Sequence, residues 1–230
     1  MTTTSPKKIL IVNGAATFNG HGGTLNMHYS EFAAEVLRGL GHSVEVTTVD
    51  RDFDPAEEAA KVVEADAIIM QFAGWWMGQP WQVKRWEDLV FTRPEIASGD
   101  GRSRTDRTAL YGTGGRNTQK TYMLSSTWNA PLEAFNEPMQ FFEAKGIDGL
   151  LFPMHKTFEF LGMRPLPSFI ANDVLKNPTI EADLERFKAH LIRCFGGSSG
   201  RICARERPRR DRPRGPLPFC LSASELRAAY

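Results

Sequence analysis

Asp66-Ala67-Ile68-Ile69-Met70-Gln71-Phe72-Ala73-Gly74-Trp75-Trp76-Met77-Gly78-Gln79-Pro80-Trp81 is the stretch on which the fold turns. Its first half is a short apolar run of the kind that forms a strand buried on both faces of a parallel sheet. Its second half is a turn built on Gly74, Gly78 and Pro80 and crowded with large side chains. Loops at the carboxyl ends of parallel strands are where open α/β sheets seat their ligands. Successive side chains of an extended segment point to opposite faces, so Trp75 and Trp76 cannot both be core. One of them must be exposed, or covered by a ligand or a second chain. Bulky rings in this position suit a flat, apolar ring system.

The rest of the chain supplies the sheet around this strand. Lys8 to Asn13 reads as a first, central strand, and Leu25, Tyr29, Phe32, Val36, Leu37 and Leu40 follow at helical spacing up to Gly41. Residues 43–49 alternate as a second strand, 55–65 form a helix, and 66–72 are the third strand. A helix is expected after Pro80, on Trp81, Val83, Trp86 and Val90. Thr121 to Ser126 reads as a fourth strand, 133–146 as a helix, 148–153 as a fifth strand, and 179–195 as a last helix. Strands alternating with helices in this order mean a five-stranded, doubly wound parallel α/β sheet. Residues 93–119 turn to Gly, Ser, Thr and Arg without periodicity, and an excursion of that length is usually functional.

Composition narrows the class. Hydrophobic content of 41% and charged content of 24% are those of an ordinary globular protein, and the net charge of +1 points to no nucleic-acid partner. The three cysteines are Cys194, Cys203 and Cys220, at no metal or redox spacing, so a reducing, cytoplasmic setting is expected. The run Ile9–Val12 is too short for a signal-peptide core, and no run reaches the length of a membrane span. Domain organisation is expected to be one domain over residues 1–197 and a basic, Pro/Arg-rich tail over 198–230. From residue 196 onward, eight arginines face only Glu206, Asp211 and Glu225, with four prolines between 208 and 218. Such a segment lacks the apolar content to offset ordering entropy, and disorder is expected.

Three strand-end loops carry the candidate chemistry. Asn13 to Asn26 joins the first strand to the first helix and holds Gly14, Gly20, Gly22 and Gly23. Glycines let backbone approach a phosphate, and the helix N-terminus adds free N–H groups, with Thr24 placed as N-cap or hydroxyl donor. Neither a Gly-x-Gly-x-x-Gly fingerprint nor a Gly-Lys-Ser/Thr loop is present. The second loop is the aromatic turn. The third, Ser125-Ser126-Thr127-Trp128-Asn129-Ala130-Pro131, offers hydroxyl and amide groups, with Trp128 as a pocket wall. His155 is read as a packed histidine. No nucleophile set, metal cluster or carboxylate pair stands out, which disfavours hydrolytic and metal chemistry.

Gly-Trp-Trp-Met-Gly-x-Pro-Trp at 74–81, Leu-Ser-x-Thr-Trp-Asn-Ala-Pro at 124–131 and Phe-Leu-Gly-Met-x-Pro-Leu-Pro-x-Phe-Ile-Ala-Asn-Asp-Val at 160–174 resemble a known family. It is the modulator of drug activity B family of NAD(P)H:quinone oxidoreductases, within the flavodoxin-like superfamily. The resemblance covers roughly residues 6–197. It implies a flavodoxin-like three-layer sandwich, FAD bound across a homodimer, NADPH or NADH as hydride donor, and ping-pong two-electron reduction of a quinone. By motif it implies that His21, Gly22, Gly23, Thr24, Leu25, Asn26, Met27 and His28 hold the diphosphate and adenosine part. Gly74, Trp75, Trp76 and Met77 would lie along the isoalloxazine, with Thr127, Trp128, Asn129 and Ala130 at its far edge and Tyr111 completing the pocket from the excursion. Phe135 stands where animal quinone reductases use a proton-relaying tyrosine, so that relay is not implied. The rival readings are a flavin reductase of azo, nitro or chromate acceptors and a non-catalytic ancillary subunit of a potassium-efflux transporter.

Overall fold

A computed structural model describes residues 5–17, 20 and 23–197. The elements in chain order are β1 (Lys8–Gly14), α1 (Thr24–Gly39), β2 (Ser43–Thr48), α2 (Pro55–Glu64), β3 (Ala67–Ala73), α3 (Trp81–Phe91), β4 (Thr121–Thr127), α4 (Leu132–Asn136), α5 (Gly146–Leu150), α6 (Phe152–Phe160), β5 (Arg164–Pro165), β6 (Phe169–Ala171) and α7 (Ile180–Phe195). The strands pair in parallel in the order β2-β1-β3-β4-β5, with β6 also beside β4. This is the doubly wound order whose switch point lies between β1 and β3.

β3 shows why the sheet is central. Ile68, Met70 and Phe72 pack into one core with α2, α3, α4 and α6, while Ala67 and Ile69 pack into the other with α1 and α7. All five side chains are fully buried. Truncating Ile68, Ile69 or Met70 to alanine would cost about 2–5 kcal/mol each. The helices are cut to length by local signals. Asp54 caps α2 by accepting from the Ala56 N–H at 2.7 Å, with Pro55 in the first turn. Gly41, at φ 87°, closes α1 in a Schellman motif: Gly41 N–H donates to Arg38 O and His42 N–H to Leu37 O.

The fifth strand differs from expectation. Residues 148–153 are not extended; Gly146–Leu150 and Phe152–Phe160 are helical, and the fifth position is filled by Arg164–Pro165 and Phe169–Ala171. Leu151, Met154 and Phe158 fall at helical spacing and are buried together. A short apolar run bounded by Gly and Pro does not distinguish these outcomes, and the longer helical stripe wins. The helix expected over 133–146 is also cut short: α4 has five residues, and Glu143, Ala144 and Gly146 adopt positive φ. Residues 92–120 carry no helix or strand, as expected. Among the described residues no helix is long and apolar enough to cross a membrane. The 198–230 tail lies outside the described residues.

One carboxyl inside this framework is poised. Glu87 on α3 is 3% exposed; its Oε2 accepts from the Gln79 side-chain amide at 3.1 Å, and its Oε1 has no hydrogen-bond partner among the described residues. Burial pushes the carboxyl up to about 7, against a smaller opposing pull from Lys84. A carboxyl raised above its unfolded value leaves stability intact below the unfolded range, and stability is lost as pH rises towards 7. We therefore expect urea melts to show stability falling between pH 5 and 8. Glu87→Gln should flatten that slope and exceed the wild type at pH 8 by at most about 3 kcal/mol. Parallel pH profiles for the two proteins would rule this out.

Candidate functional site

The carboxyl ends of β1, β3 and β4 open on one cleft of about 410 Å³, within the range of small-molecule sites. It is lined by Ala16 from the first loop, Gly23 to Asn26 at the start of α1, Ala73 to Trp75 after β3, Thr127 and Asn129 after β4, and Val174 and Leu175 after β6.

At one end lies the N-terminus of α1. Gly23 is its N-cap, in the left-handed region at φ 65°, and among the described residues no side chain caps the helix. A Cβ at residue 23 would press on the Ala16 backbone at 3.0 Å, so a glycine here both supplies the conformation and permits the close approach. The first turn holds no acidic side chain, and its N–H groups and positive dipole end face the cleft. Such an arrangement has the chemistry to hold an anion. Thr24, expected as N-cap or hydroxyl donor, is the first helical residue, exposed on the cleft; the cap position belongs to Gly23.

The aromatic turn is tight. Trp75 and Gly78 exchange both backbone hydrogen bonds, at 2.8 and 3.0 Å, and between them Trp76 and Met77 stand at φ 45° and 68°. Positive φ at both central positions marks a type I′ hairpin turn, which ordinarily takes Asn-Gly. Trp76 is 92% exposed and Met77 also projects outward, whereas Trp75 is half-buried against the cleft. The expectation that one tryptophan must lie outside the core holds.

A buried polar network runs beneath the cleft. Ser125 donates to Gln71 Oε1 at 2.5 Å, the Gln71 amide donates to Asn26 Oδ1 at 2.8 Å, and the Asn26 amide donates to Thr127 Oγ1 at 3.0 Å. All four side chains are buried, and Asn26 and Thr127 surface in the cleft floor. None of these groups is ionisable, so the floor is polar without being charged.

The expected site residues divide accordingly. Gly23, Thr24, Leu25, Asn26, Gly74, Trp75, Thr127 and Asn129 come together in the cleft. Trp128 does not wall it. Its ring is 5% exposed, lies directly under Gly74, and donates through Nε1 to Ser126 Oγ at 2.9 Å. Ala130 is half-buried against the core behind it. Trp76, Met77, Met27 and His28 are exposed outside the lining. Tyr111 sits on Phe160 with their rings 5.4 Å apart and Arg102 over its face, also outside the lining. His21 and Gly22 lie outside the described residues. His155 is packed, bonded to the Tyr122 hydroxyl at 2.8 Å and to Asp148 at 3.2 Å. Given no role of their own by sequence reasoning were Gln71 and Ser125, and Val174 and Leu175 on the loop that Asp173 turns at φ 52°. The polar residue inside the apolar β3 run, and the Asn-Asp-Val end of the third quoted motif, were the available signals.

The comparisons agree with this fold. A family model described as having a flavodoxin-like fold matches residues 7–193. The NADPH:quinone oxidoreductase MdaB of Haemophilus influenzae is 44% identical over 190 residues, 82% of this chain and 99% of its own. An uncharacterised protein of Schizosaccharomyces pombe is likewise 44% identical over 194 residues, 84% of this chain and 99% of its own. The solved structure of an NAD(P)H:quinone oxidoreductase from Methanothermobacter marburgensis shares the fold at a TM-score of 0.58 and 16% identity, covering 83% of this chain and 98% of that one. Strand order, cleft position and the extent of these matches lead to one conclusion: the chain belongs to the flavodoxin-like family, in the branch that includes the Haemophilus quinone oxidoreductase.

Proposed function

We propose that this chain is an FAD-dependent NAD(P)H:quinone oxidoreductase that moves two electrons from NADPH or NADH to a quinone by a ping-pong sequence. The observation that carries the reading is the cleft itself: an uncapped helix N-terminus at one end, hydroxyl and amide donors at the other, and an indole on the flank. Those residues fit a flavin nucleotide. Similarity to the Haemophilus enzyme supports the donor and acceptor class. A bound flavin would supply the hydride chemistry, which no side chain of the cleft can perform.

The protein's own part is placement and electrostatics. The N–H groups of Gly23 to Asn26 would hold the diphosphate without a counter-charge, and His21, Gly22, Met27 and His28 would extend that contact towards the adenosine part. Gly74 and Trp75 would lie along the ring system, while Thr127 and Asn129 would donate to its polar edge. Trp128 would act from behind, bracing Gly74, with Ala130 packed beside it. Trp76 and Met77 reach outward, as does Leu175, and would be covered in a homodimer, where Tyr111 would meet the ligand of the other copy. The functional unit would be residues 1–197, acting in the cytoplasm.

Purified protein should be yellow, and heat-released flavin should migrate as FAD; release of FMN alone would correct the cofactor, and a colourless protein binding neither would end the proposal. Steady-state turnover with NADPH should favour quinones over azo, nitro and chromate acceptors. Equal efficiency on all of them would favour the general reductase.

Trp76→Gly separates folding from function. Relief of a left-handed tryptophan should stabilise the fold by up to about 1 kcal/mol. The same change should lower kcat/KM for a quinone at least about tenfold. A destabilised variant with normal kinetics would reverse both assignments. Gly23→Val should do the opposite at the phosphate end: a β-branched residue at positive φ strains the cap, and flavin retention on gel filtration should fall about tenfold or more.

A further inference from the structure

The buried network beneath the cleft has a direction, set at its inner end. Ser125 is fully buried, and among the described residues the acceptor its hydroxyl proton meets is Gln71 Oε1, at 2.5 Å. With that oxygen taken, Gln71 must turn its amide to Asn26, whose Oδ1 lies 2.8 Å away. Asn26 in turn must present its own amide to Thr127 Oγ1, at 3.0 Å. A hydroxyl oxygen that accepts from Asn26 keeps its own proton free to donate. Among the described residues, the acceptor that proton meets is Asn26 Oδ1 at 3.3 Å, a long contact to an oxygen that already accepts from Gln71. Thr127 lines the cleft.

We propose that Gln71 and Ser125 are positioning residues whose hydrogen-bond order makes the Thr127 hydroxyl a donor into the cleft, selecting a ligand that presents an acceptor, a ring carbonyl or unprotonated ring nitrogen, at that point. The ligand half of this rests on the flavin reading; the order of the network does not. The opposite order would satisfy Gln71, Asn26 and Thr127 equally well. It would, however, leave the Ser125 proton buried without an acceptor, a cost of the kind folded proteins avoid. One hydroxyl at the base thus fixes the polarity of a group three side chains away. Neither Gln71 nor Ser125 touches the ligand.

Two measurements test the proposal. In the protein without flavin, nuclear Overhauser contacts from the Asn26 side-chain amide protons should reach the Thr127 methyl, and those of Gln71 should reach Asn26. Contacts from the Gln71 amide to Ser125 and from the Asn26 amide to Gln71 would mean the reverse order and overturn the proposal, with or without flavin binding. FAD is then titrated into the stripped protein. Gln71→Glu, titrated at a pH high enough to ionise the new carboxyl so that it can only accept, should pull the Asn26 amide inward and turn the Thr127 proton away. It and Thr127→Val should each weaken FAD about tenfold, and the double variant should be no weaker than either alone. Additive losses, or a Gln71→Glu protein that binds FAD as the wild type does, would overturn the proposal. Should Gln71→Glu fail to fold by near-ultraviolet circular dichroism, Ser125→Ala serves instead. It removes the anchoring proton, should weaken FAD in the same direction and by less, and should add nothing in a Thr127→Val background. A wild type with the stated amide contacts that binds neither FAD nor FMN would refute the flavin reading while leaving the order of the network established.

Discussion

The parallel register of β1, β3 and β4 is the constraint from which the site follows. Asn13 pairs with Gln71 and Gln71 with Ser125; two positions on, Ala73 pairs with Thr127. Side chains two apart on a strand share a face, so Gln71, Ser125 and Thr127 are turned to the side of the sheet on which α1 packs. Asn26, in the first turn of α1, then closes the network from above. The same register ends the three strands at one level, which is why three loops distant in sequence form one cleft. A slip of one residue would send Gln71 into the opposite core and Phe72 into the polar floor.

That rigid edge also explains how the aromatic turn can be strained. Two large L-residues at positive φ cost about 1–3 kcal/mol each, and such strain persists only where the surroundings over-determine it. Gly74 N–H donates to Thr127 O at 2.9 Å, Gly74 rests on the buried Trp128 ring, and the Trp75–Gly78 pair closes the loop. Trp128 is itself held between Phe135, Phe142 and Ser126. An unconstrained loop would relax, turning Trp76 and Met77 back into ordinary backbone regions. Here the exposed indole is held out from the surface as a fixed feature, where a ligand or a second chain can meet it.

Much of this was legible in the residues because hydrophobic period and strand-end chemistry point the same way. The first four strands, α1, α3 and α7 follow from apolar runs and helical stripes, and the exposure of a tryptophan follows from alternation alone. What was missed falls into two kinds. The fifth strand was placed on residues 148–153 because short apolar runs are ambiguous, while the true strands, Arg164–Pro165 and Phe169–Ala171, are too short and too interrupted by proline to signal themselves. Trp128 was placed at the wall, and Gln71 and Ser125 were passed over, because facing depends on register. Strand alternation says that residues 71 and 73 share a face, but not that residue 125 stands beside residue 71. Thr24 lost the cap to Gly23 for a related reason: the approach of Ala16 leaves no room for a side chain, and spacing along the chain does not reveal it.

The lining residues explain what kind of recognition the cleft performs. Among the described residues, the lining of Ala16, Gly23, Thr24, Leu25, Asn26, Ala73, Gly74, Trp75, Thr127, Asn129, Val174 and Leu175 includes no ionisable side chain. An anion bound there would be held by peptide dipoles and N–H groups, whose charge neither titrates nor swings away. A lysine or arginine would attract any anion within reach, and its long side chain would have to be ordered on each binding event. A helix N-terminus is already ordered and acts over only about one turn, so it rewards an anion in one place. With the Thr127 end of the cleft fixed by its own hydrogen-bond order, the distance between the two ends becomes the measure of fit. On the reading proposed above, a ligand would span from an anionic group at α1 to an acceptor at β4. Selection therefore rests on the length and shape of the ligand, and the sheet register sets that ruler.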